Sequence, residues 1–210
     1  MSPDAFAALF PRLYHVAWPQ ARARIRRDGL MSPVALVERE GLPESVLETR
    51  RKAVTELRDG VILNDNTPIF EASLRTCLPA DITVADWLRE LNSRVFLFPD
   101  REAANAFAGV KAVRHLPRDI WVFDTLRFTR AFLPRMEITP FNTGSAKRGP
   151  PFRDRSIYAP LKGLDYREWR ARRRMAGVKA GLDSVREVCV RHAAPGAADH
   201  AVEIIKRPPA

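Results

Sequence analysis

Cysteine, long hydrophobic runs and acidic residues are all scarce in this chain of 210 residues. Its two cysteines, Cys77 and Cys189, are too few for a disulfide framework, so we expect a protein of the reducing cytoplasm. No apolar run approaches the ~18 residues of a membrane span. The N-terminal residues 1–10 also lack the basic and apolar regions of a signal peptide. We therefore expect neither a membrane protein nor a secreted one.

Several common catalytic motifs are missing as well. The ten glycines are scattered and form no phosphate-binding loop of the Walker or Rossmann kind. The four histidines and two cysteines show no metal-ligand spacing, so no metal site is expected. Neither a G-x-S-x-G elbow nor the context of a nucleophilic cysteine occurs. The sequence thus gives no indication of the commonest nucleotide-binding, metal-dependent or covalent hydrolytic enzymes.

Positive charge is present in excess, and it is unevenly distributed. Lys and Arg number 35 against 25 Asp and Glu, which gives a formal net charge of +10. Residues 1–105 carry 14 basic and 15 acidic groups, whereas residues 106–210 carry 21 and 10. The stretch 145–174 alone holds ten Lys or Arg and three acids. This asymmetry predicts an anionic partner for the second half of the chain.

The order of helical and strand patterns predicts one α+β domain over residues 1–210. Residues 1–91 are rich in helical spacing, around one short strand at 13–17. The predicted helices of this part cover residues 3–10, 18–28, 33–41, 43–57, 68–77 and 83–91. Residues 92–210 are rich in strands, with the basic stretch 145–174 as an insertion. The predicted strands of this part cover residues 94–98, 119–124, 136–140, 184–191 and 200–205.

A first motif lies near the N-terminus. The strand LYHVA at 13–17 is followed by a helix containing Ile25 and then by DGLMS at 28–32. This arrangement resembles the opening motif of the ADP-ribosyltransferase superfamily. It is especially similar to RNA 2′-phosphotransferases and to DNA-targeting ADP-ribosyltransferase toxins. The resemblance implies that His15 binds the ribose of the nicotinamide half of NAD, while the alternative is a core or capping histidine.

A second motif is the strand NSRVFLF at 92–98 with the helix that follows it, which looks like the central strand and helix of the same superfamily. The resemblance implies that an aromatic ring stacks on nicotinamide, with Phe98 as the first candidate and Phe96 as the second. It also places Arg94 where a pyrophosphate is bound. The alternative is that both phenylalanines are ordinary core residues and Arg94 a surface residue. The family often has tyrosine where this chain has phenylalanine, so a role that depends on a phenol is in doubt.

The third motif, VREVCV at 185–190, resembles the strand that carries the catalytic glutamate of the DNA-targeting toxins. By this resemblance Glu187 is the catalytic carboxylate, which would stabilise an oxocarbenium-like state as nicotinamide leaves. The alternative is a solvent-facing residue of an amphipathic strand. Together the three motifs imply an ADP-ribosyltransferase-like split, mixed β-sheet with flanking helices.

Two further segments are candidates for binding. The polar loop TPFNTGS at 139–145, with Asn142 at its centre, is expected to contact NAD phosphates or the acceptor. In the basic stretch, five side chains are candidates for binding nucleic acid, with Trp169 and Tyr166 near them for stacking. These five are Lys147, Arg148, Arg172, Arg173 and Arg174. A solvated basic helix is the alternative.

The sequence therefore predicts an NAD-dependent ADP-ribosyltransferase that uses NAD as a substrate and no metal, and that modifies a nucleic acid or a protein. One alternative is an enzyme like the RNA 2′-phosphotransferases, which would need His15 but not Glu187. The RNA-recruiting N-terminal lobe of those enzymes is missing here. A second alternative is a non-catalytic module on the same fold that binds nucleic acid or another partner.

Overall fold

The computed structural model describes residues 1–57, 62–64, 66, 69–109, 116–146, 151–180 and 182–209, and these combine α-helices with several small β-sheets. The helices are α1 (Pro3–Leu9), α2 (Arg22–Asp28), α3 (Pro33–Glu40), α4 (Ser45–Glu48), α5 (Glu71–Arg75), α6 (Val84–Asn92), α7 (Arg101–Ala108), α8 (Thr125–Phe132) and α9 (Tyr166–Met175). The strands are β1 (Arg12–Ala17), β2 (Leu30–Met31), β3 (Thr55–Glu56), β4 (Ile62–Leu63), β5 (Arg94–Leu97), β6 (Arg118–Asp124), β7 (Met136–Thr139), β8 (Ala159–Pro160), β9 (Glu187–Arg191), β10 (Ala193–Ala194) and β11 (Ala201–Arg207). The expected combination of helices and strands is confirmed.

Two larger sheets organise the molecule. One has the strand order β1-β6-β11 and the other the order β5-β9-β7-β8, while β10 pairs with β2 and β3 pairs with β4. Neighbouring strands in all four sheets are antiparallel. Leu13 and Phe123 from the first large sheet share a hydrophobic core with Leu97 and Val188 from the second. Burial of both inner faces in one core holds the two sheets together.

Helix starts follow the capping residues that the sequence supplies. The Ser32 hydroxyl accepts a hydrogen bond from the backbone N–H of Ala35, and Thr83 forms a reciprocal capping box with Asp86. At the end of α2, Gly29 has a φ of 82°, and a Cβ there would lie 2.2 Å from the Ala194 carbonyl oxygen. Only glycine fits this position, as its place after the helical pattern indicates.

One predicted helix is wrong. The Glu- and Arg-rich stretch 43–57 forms only the short helix α4, and its end pairs with β4 as strand β3. The Arg51 side chain donates hydrogen bonds to the carbonyl oxygens of Val46 and Asn64 and to Oδ1 of Asn92. These tertiary contacts hold the backbone in a turn that local propensity does not favour.

Two features bear on the organisation of the chain. The helix α8, whose Phe128 and Phe132 are buried, was not among the predicted elements. In the described part of the chain, no helix combines the length and the apolarity that crossing a membrane requires. The division into a single domain with a basic insertion stays a prediction.

Candidate functional site

The strands β1 and β5 meet at one point and then separate. Tyr14 and Phe98 exchange two backbone hydrogen bonds of 2.9 and 2.7 Å, and this is an isolated bridge between the two larger sheets. Away from the bridge, β1 pairs with β6 and β5 pairs with β9. We call this place the β1–β5 junction.

His15 occupies the β1–β5 junction directly after the bridge. Its Nδ1 lies 2.8 Å from the carbonyl oxygen of Phe96, and because a carbonyl only accepts, Nδ1 carries the proton. Burial lowers the pKa of His15, and the positive charge of Arg24 lowers it further. The imidazole is therefore neutral at pH 7, and its Nε2 carries a lone pair.

Glu187 begins β9 and is 5% exposed. Its Oε2 accepts hydrogen bonds from the backbone N–H of Thr143 at 3.0 Å and from the Thr143 hydroxyl at 2.7 Å. The Thr139 hydroxyl is 3.3 Å from the same oxygen and 2.9 Å from the Phe141 carbonyl oxygen, to which it donates more favourably. Burial raises the pKa of Glu187 to about 7, against the lowering effect of these bonds. A carboxyl that ionises near neutral pH suits proton transfer.

The loop 140–146, which supplies Thr143, is fixed by a buried arginine that sequence reasoning missed. Arg153 is 1% exposed, and its guanidinium donates to the carbonyl oxygens of Ser145 and Pro151 and lies 5.0 Å from the centre of the Phe141 ring. Its positive charge also lowers the pKa of Glu187. Asn142, predicted to bind NAD, is exposed on this loop. No sequence pattern connects Arg153 or Thr143 to Glu187, because the contacts arise only from folding.

Arg94 lies in a buried network. Its Nε donates to Oε2 of Glu137 at 2.7 Å, its Nη1 lies 2.8 Å from Oε1 of Glu90, and the guanidinium stacks 3.6 Å above the Tyr158 ring. Arg94 is therefore not the surface residue of the alternative interpretation, since it is 5% exposed. Its binding of a pyrophosphate stays a prediction, and no proposal below depends on it.

The two candidate aromatic residues lie in different surroundings. The Phe98 ring is buried with α7, 5.3 Å from the ring of Phe107. Phe96 is half-buried, and its side chain packs towards the cluster around Trp87 and Cys189 while its carbonyl oxygen holds His15. Stacking of either ring on nicotinamide stays a prediction.

The predicted basic residues divide into three groups. Lys147 and Arg148 lie outside the described residues. Arg172 is exposed on α9 and pairs with Glu168 one turn earlier. Arg173 and Arg174 instead bind the segment that leads into β9. The Arg173 guanidinium donates to the carbonyl oxygens of Pro140, Leu182 and Ser184, and Arg174 pairs with the buried Asp183 at 2.5 Å.

These positions bring His15 and Glu187 to opposite edges of one strand. His15 contacts β5 from β1, and β9 pairs with β5 on its other edge, with Val188 opposite Leu97. Phe98 follows Leu97 and Glu187 precedes Val188, so both residues lie just beyond this pairing. The candidate site is thus built around the end of β5.

Residues 11–201 match the model of a family of unknown function, DUF7002, and because this match covers most of the chain, the protein belongs to that family. No curated protein and no solved structure matches the chain.

Proposed function

We propose that this member of the DUF7002 family is an NAD-dependent ADP-ribosyltransferase, with an ADP-ribosyltransferase-like sheet arrangement and with NAD bound at the β1–β5 junction. One observation carries the proposal. A neutral histidine and a buried glutamate with a pKa of about 7 flank the end of the same strand, β5. Titratable groups with shifted pKa values are enriched at catalytic sites.

ADP-ribosyl transfer needs two functions, and Glu187 and His15 are suited to supply them. The bond between C1′ of the ribose and the nicotinamide nitrogen breaks, and nicotinamide leaves with the bonding electron pair as a neutral molecule. A nucleophile of the acceptor then bonds to C1′ and releases its proton. Ionised Glu187 stabilises the positive charge on the ribose and accepts that proton. The Nε2 atom of neutral His15 accepts a hydrogen bond from a ribose hydroxyl and orients the sugar.

The acceptor in this proposal is a nucleic acid. The excess of basic residues in the second half favours a polyanion, because neutralising phosphates gives affinity without sequence preference. Arg172 is exposed on α9, whereas Arg173 and Arg174 help to order the segment before Glu187. The helix α9 therefore joins a charged surface to the candidate catalytic strand.

The test measures nicotinamide release and transfer of label from NAD labelled in its ADP-ribose half, with single-stranded DNA, RNA and cell lysate as acceptors. Glu187→Gln keeps the shape of the side chain but removes its negative charge, so we expect turnover to fall by about 100-fold or more. Glu203→Gln is the matched control, since Glu203 is an exposed glutamate on strand β11, and it should retain wild-type turnover.

Absence of both NAD binding and NAD turnover in the wild-type protein would overturn the proposal. Turnover of 2′-phosphorylated RNA that survives Glu187→Gln would instead favour an RNA 2′-phosphotransferase-like enzyme. Binding of nucleic acid without any NAD turnover would favour a non-catalytic binding module.

A further inference from the structure

A cavity of about 530 Å³ lies between the helices α3, α4 and α6, and we call it the α3–α6 cavity. Its apolar lining includes Val37 and Leu47, which are almost fully buried. Four carboxyl side chains line it as well: Glu38 on α3, Glu44 next to α4, and Asp86 and Glu90 on α6. A volume of this size is typical of sites that bind small molecules, ~300–1,000 Å³.

The α3–α6 cavity is separate from the β1–β5 junction. Ser93, which lines the cavity, directly precedes strand β5. Phe98, which forms the bridge at the junction, directly follows the same strand. The two places therefore lie at opposite ends of β5, and a ligand in the cavity is not a ligand of the proposed NAD site.

The α3–α6 cavity is acidic, although the chain as a whole has a formal net charge of +10. Two arginines line it, Arg89 and Arg155, so its lining carries a formal net charge of −2. Arg89 forms ion pairs with Glu44 and with Glu48, and Arg155 lies 3.9 Å from Glu90. Both arginines are thus already paired, and the carboxylates of the lining outnumber them.

The end of α6 at this cavity already binds one cationic group. Nη1 of Arg94 donates to the carbonyl oxygen of Glu90 at 2.7 Å and lies 2.8 Å from Oε1 of the same residue. Arg94 is paired as well with Glu137, which is outside the cavity. Helix α3 also ends at the cavity, at Gly41. Because the carbonyl groups at the C-terminal end of a helix carry partial negative charge, both helix ends favour a cation.

We propose that the α3–α6 cavity binds an aliphatic diamine, a molecule with two ammonium groups joined by a chain of methylene groups. The methylene chain covers the apolar side chains of Val37 and Leu47 and removes them from water. The ammonium groups donate hydrogen bonds to the carboxylates of the cavity. Two positive charges match the formal excess of two carboxylates. This binding does not depend on ADP-ribosyl transfer.

Calorimetric titration with 1,5-diaminopentane at low ionic strength tests the site. Glu38→Lys reverses one charge of the lining at an exposed position of α3, so we expect it to weaken binding by about fivefold or more. Glu102→Lys is the matched control, since Glu102 is exposed on the helix α7 and the substitution changes the net charge of the protein equally. Its affinity should stay within about twofold of wild type. Equal weakening by the two substitutions would overturn the proposal, because it would show attraction to the overall charge.

Titration of the wild-type protein with Mg²⁺ tests the role of the apolar lining. Mg²⁺ carries the same charge as the diamine but has no methylene groups. We expect 1,5-diaminopentane to bind about tenfold more tightly than Mg²⁺, because only the diamine buries apolar surface. Equal affinities would mean that the carboxylates merely attract counterions, and they would overturn the diamine site.

A spectroscopic measurement on the wild-type protein needs no substitution. Nε2 of His192 lies 3.5 Å from Oε2 of Glu38, so the His192 ring reports on the cavity. In NMR spectra, 1,5-diaminopentane should shift the ring signals of His192 and leave those of His200, which packs against Phe128 and Phe132, unchanged. Unmoved His192 signals at a diamine concentration that saturates the calorimetric titration would place the ligand elsewhere and overturn the proposal.

Discussion

Two buried glutamates on the same face of the four-stranded sheet have opposite surroundings. Glu137 on β7 lies between two arginines, with Nε of Arg94 at 2.7 Å and Nε of Arg191 at 3.6 Å. Glu187 on β9 has neutral hydroxyl and amide donors around its Oε2. The cations near Glu137 compensate its charge, whereas no cation in the described part of the chain is bonded to Glu187, and burial raises its pKa. Glu137 is therefore part of an ionic network, whereas Glu187 is the carboxyl for which we propose a catalytic role.

The largest expected effect is a loss of stability when Glu137 loses its charge. Glu137→Gln removes the carboxylate charge beside the buried Arg94, which then keeps Glu90 as its one ionic partner among the described residues. We expect a loss of about 3 kcal/mol in the free energy of unfolding, measured by urea denaturation, because a buried charge left poorly compensated is costly. Glu203→Gln, at an exposed position, should change it by less than about 0.5 kcal/mol. A Glu137→Gln protein as stable as wild type would remove the contrast between the two glutamates.

The next effect is a gain of stability on removing the charge of Glu187, and it depends on pH. The folded state raises the pKa of Glu187 from 4.5 to about 7, so it favours the protonated form. The resulting loss of stability is therefore nearly absent below pH 4.5, grows between pH 4.5 and 7, and is constant above pH 7. Glu187→Gln avoids this cost and should be more stable than wild type by up to about 3 kcal/mol at pH 8, but by little at pH 4.5. Denaturation curves at both pH values measure the difference, and an equal effect at the two would contradict a raised pKa.

The smallest effect concerns the donors around Glu187. Thr143→Val removes the 2.7 Å hydroxyl bond but keeps the backbone N–H bond. We expect a loss of about 1–2 kcal/mol at pH 8, where the carboxylate is ionised, and less at pH 5. The pKa of Glu187 should rise further, as carboxyl carbon NMR shifts would report.

Thr125→Val is the control for this substitution. The Thr125 hydroxyl is buried and, within the described ranges, has no hydrogen-bond partner. Its replacement should cost little stability and leave the pKa of Glu187 unchanged. A shift of that pKa in Thr125→Val as large as in Thr143→Val would show that the hydroxyl bond does not set it.

Local patterns in the sequence predict much of the fold. The capping residues Ser32 and Thr83 mark helix starts, and the apolar run at 94–98 becomes strand β5 with its neighbouring bridge. The same reasoning fails at 43–57, where helical composition is overruled by the contacts of Arg51 with residues distant in sequence. Local sequence patterns predict the backbone correctly where nearby residues make its hydrogen bonds. They fail where residues distant in sequence make those bonds.

The residues of the candidate site divide in the same way, into those that local patterns predict and those that only the fold brings together. His15 and Glu187 were predicted from short motifs; His15 lies within the predicted strand β1, and Glu187 begins the predicted strand β9. The bonds of Thr143 to Glu187 and of Arg153 to the loop 140–146 could not be predicted, because they depend on which groups the fold brings together. The loop 139–145 was expected to bind NAD, but neither Thr143 nor an arginine in the basic stretch carries a signal for these contacts.

Because Thr143 lies on a loop, the ionisation of Glu187 is linked to the position of that loop. The two shortest bonds that favour the ionised form of Glu187 come from Thr143 in the loop 140–146, whereas the longer contact of the Thr139 hydroxyl comes from strand β7. Gain of a proton by Glu187 weakens the hold on this loop, and departure of the loop makes the proton harder to lose. The protonation of Glu187 and the position of the loop are therefore coupled. A ligand that displaces the loop also changes how strongly Glu187 holds its proton.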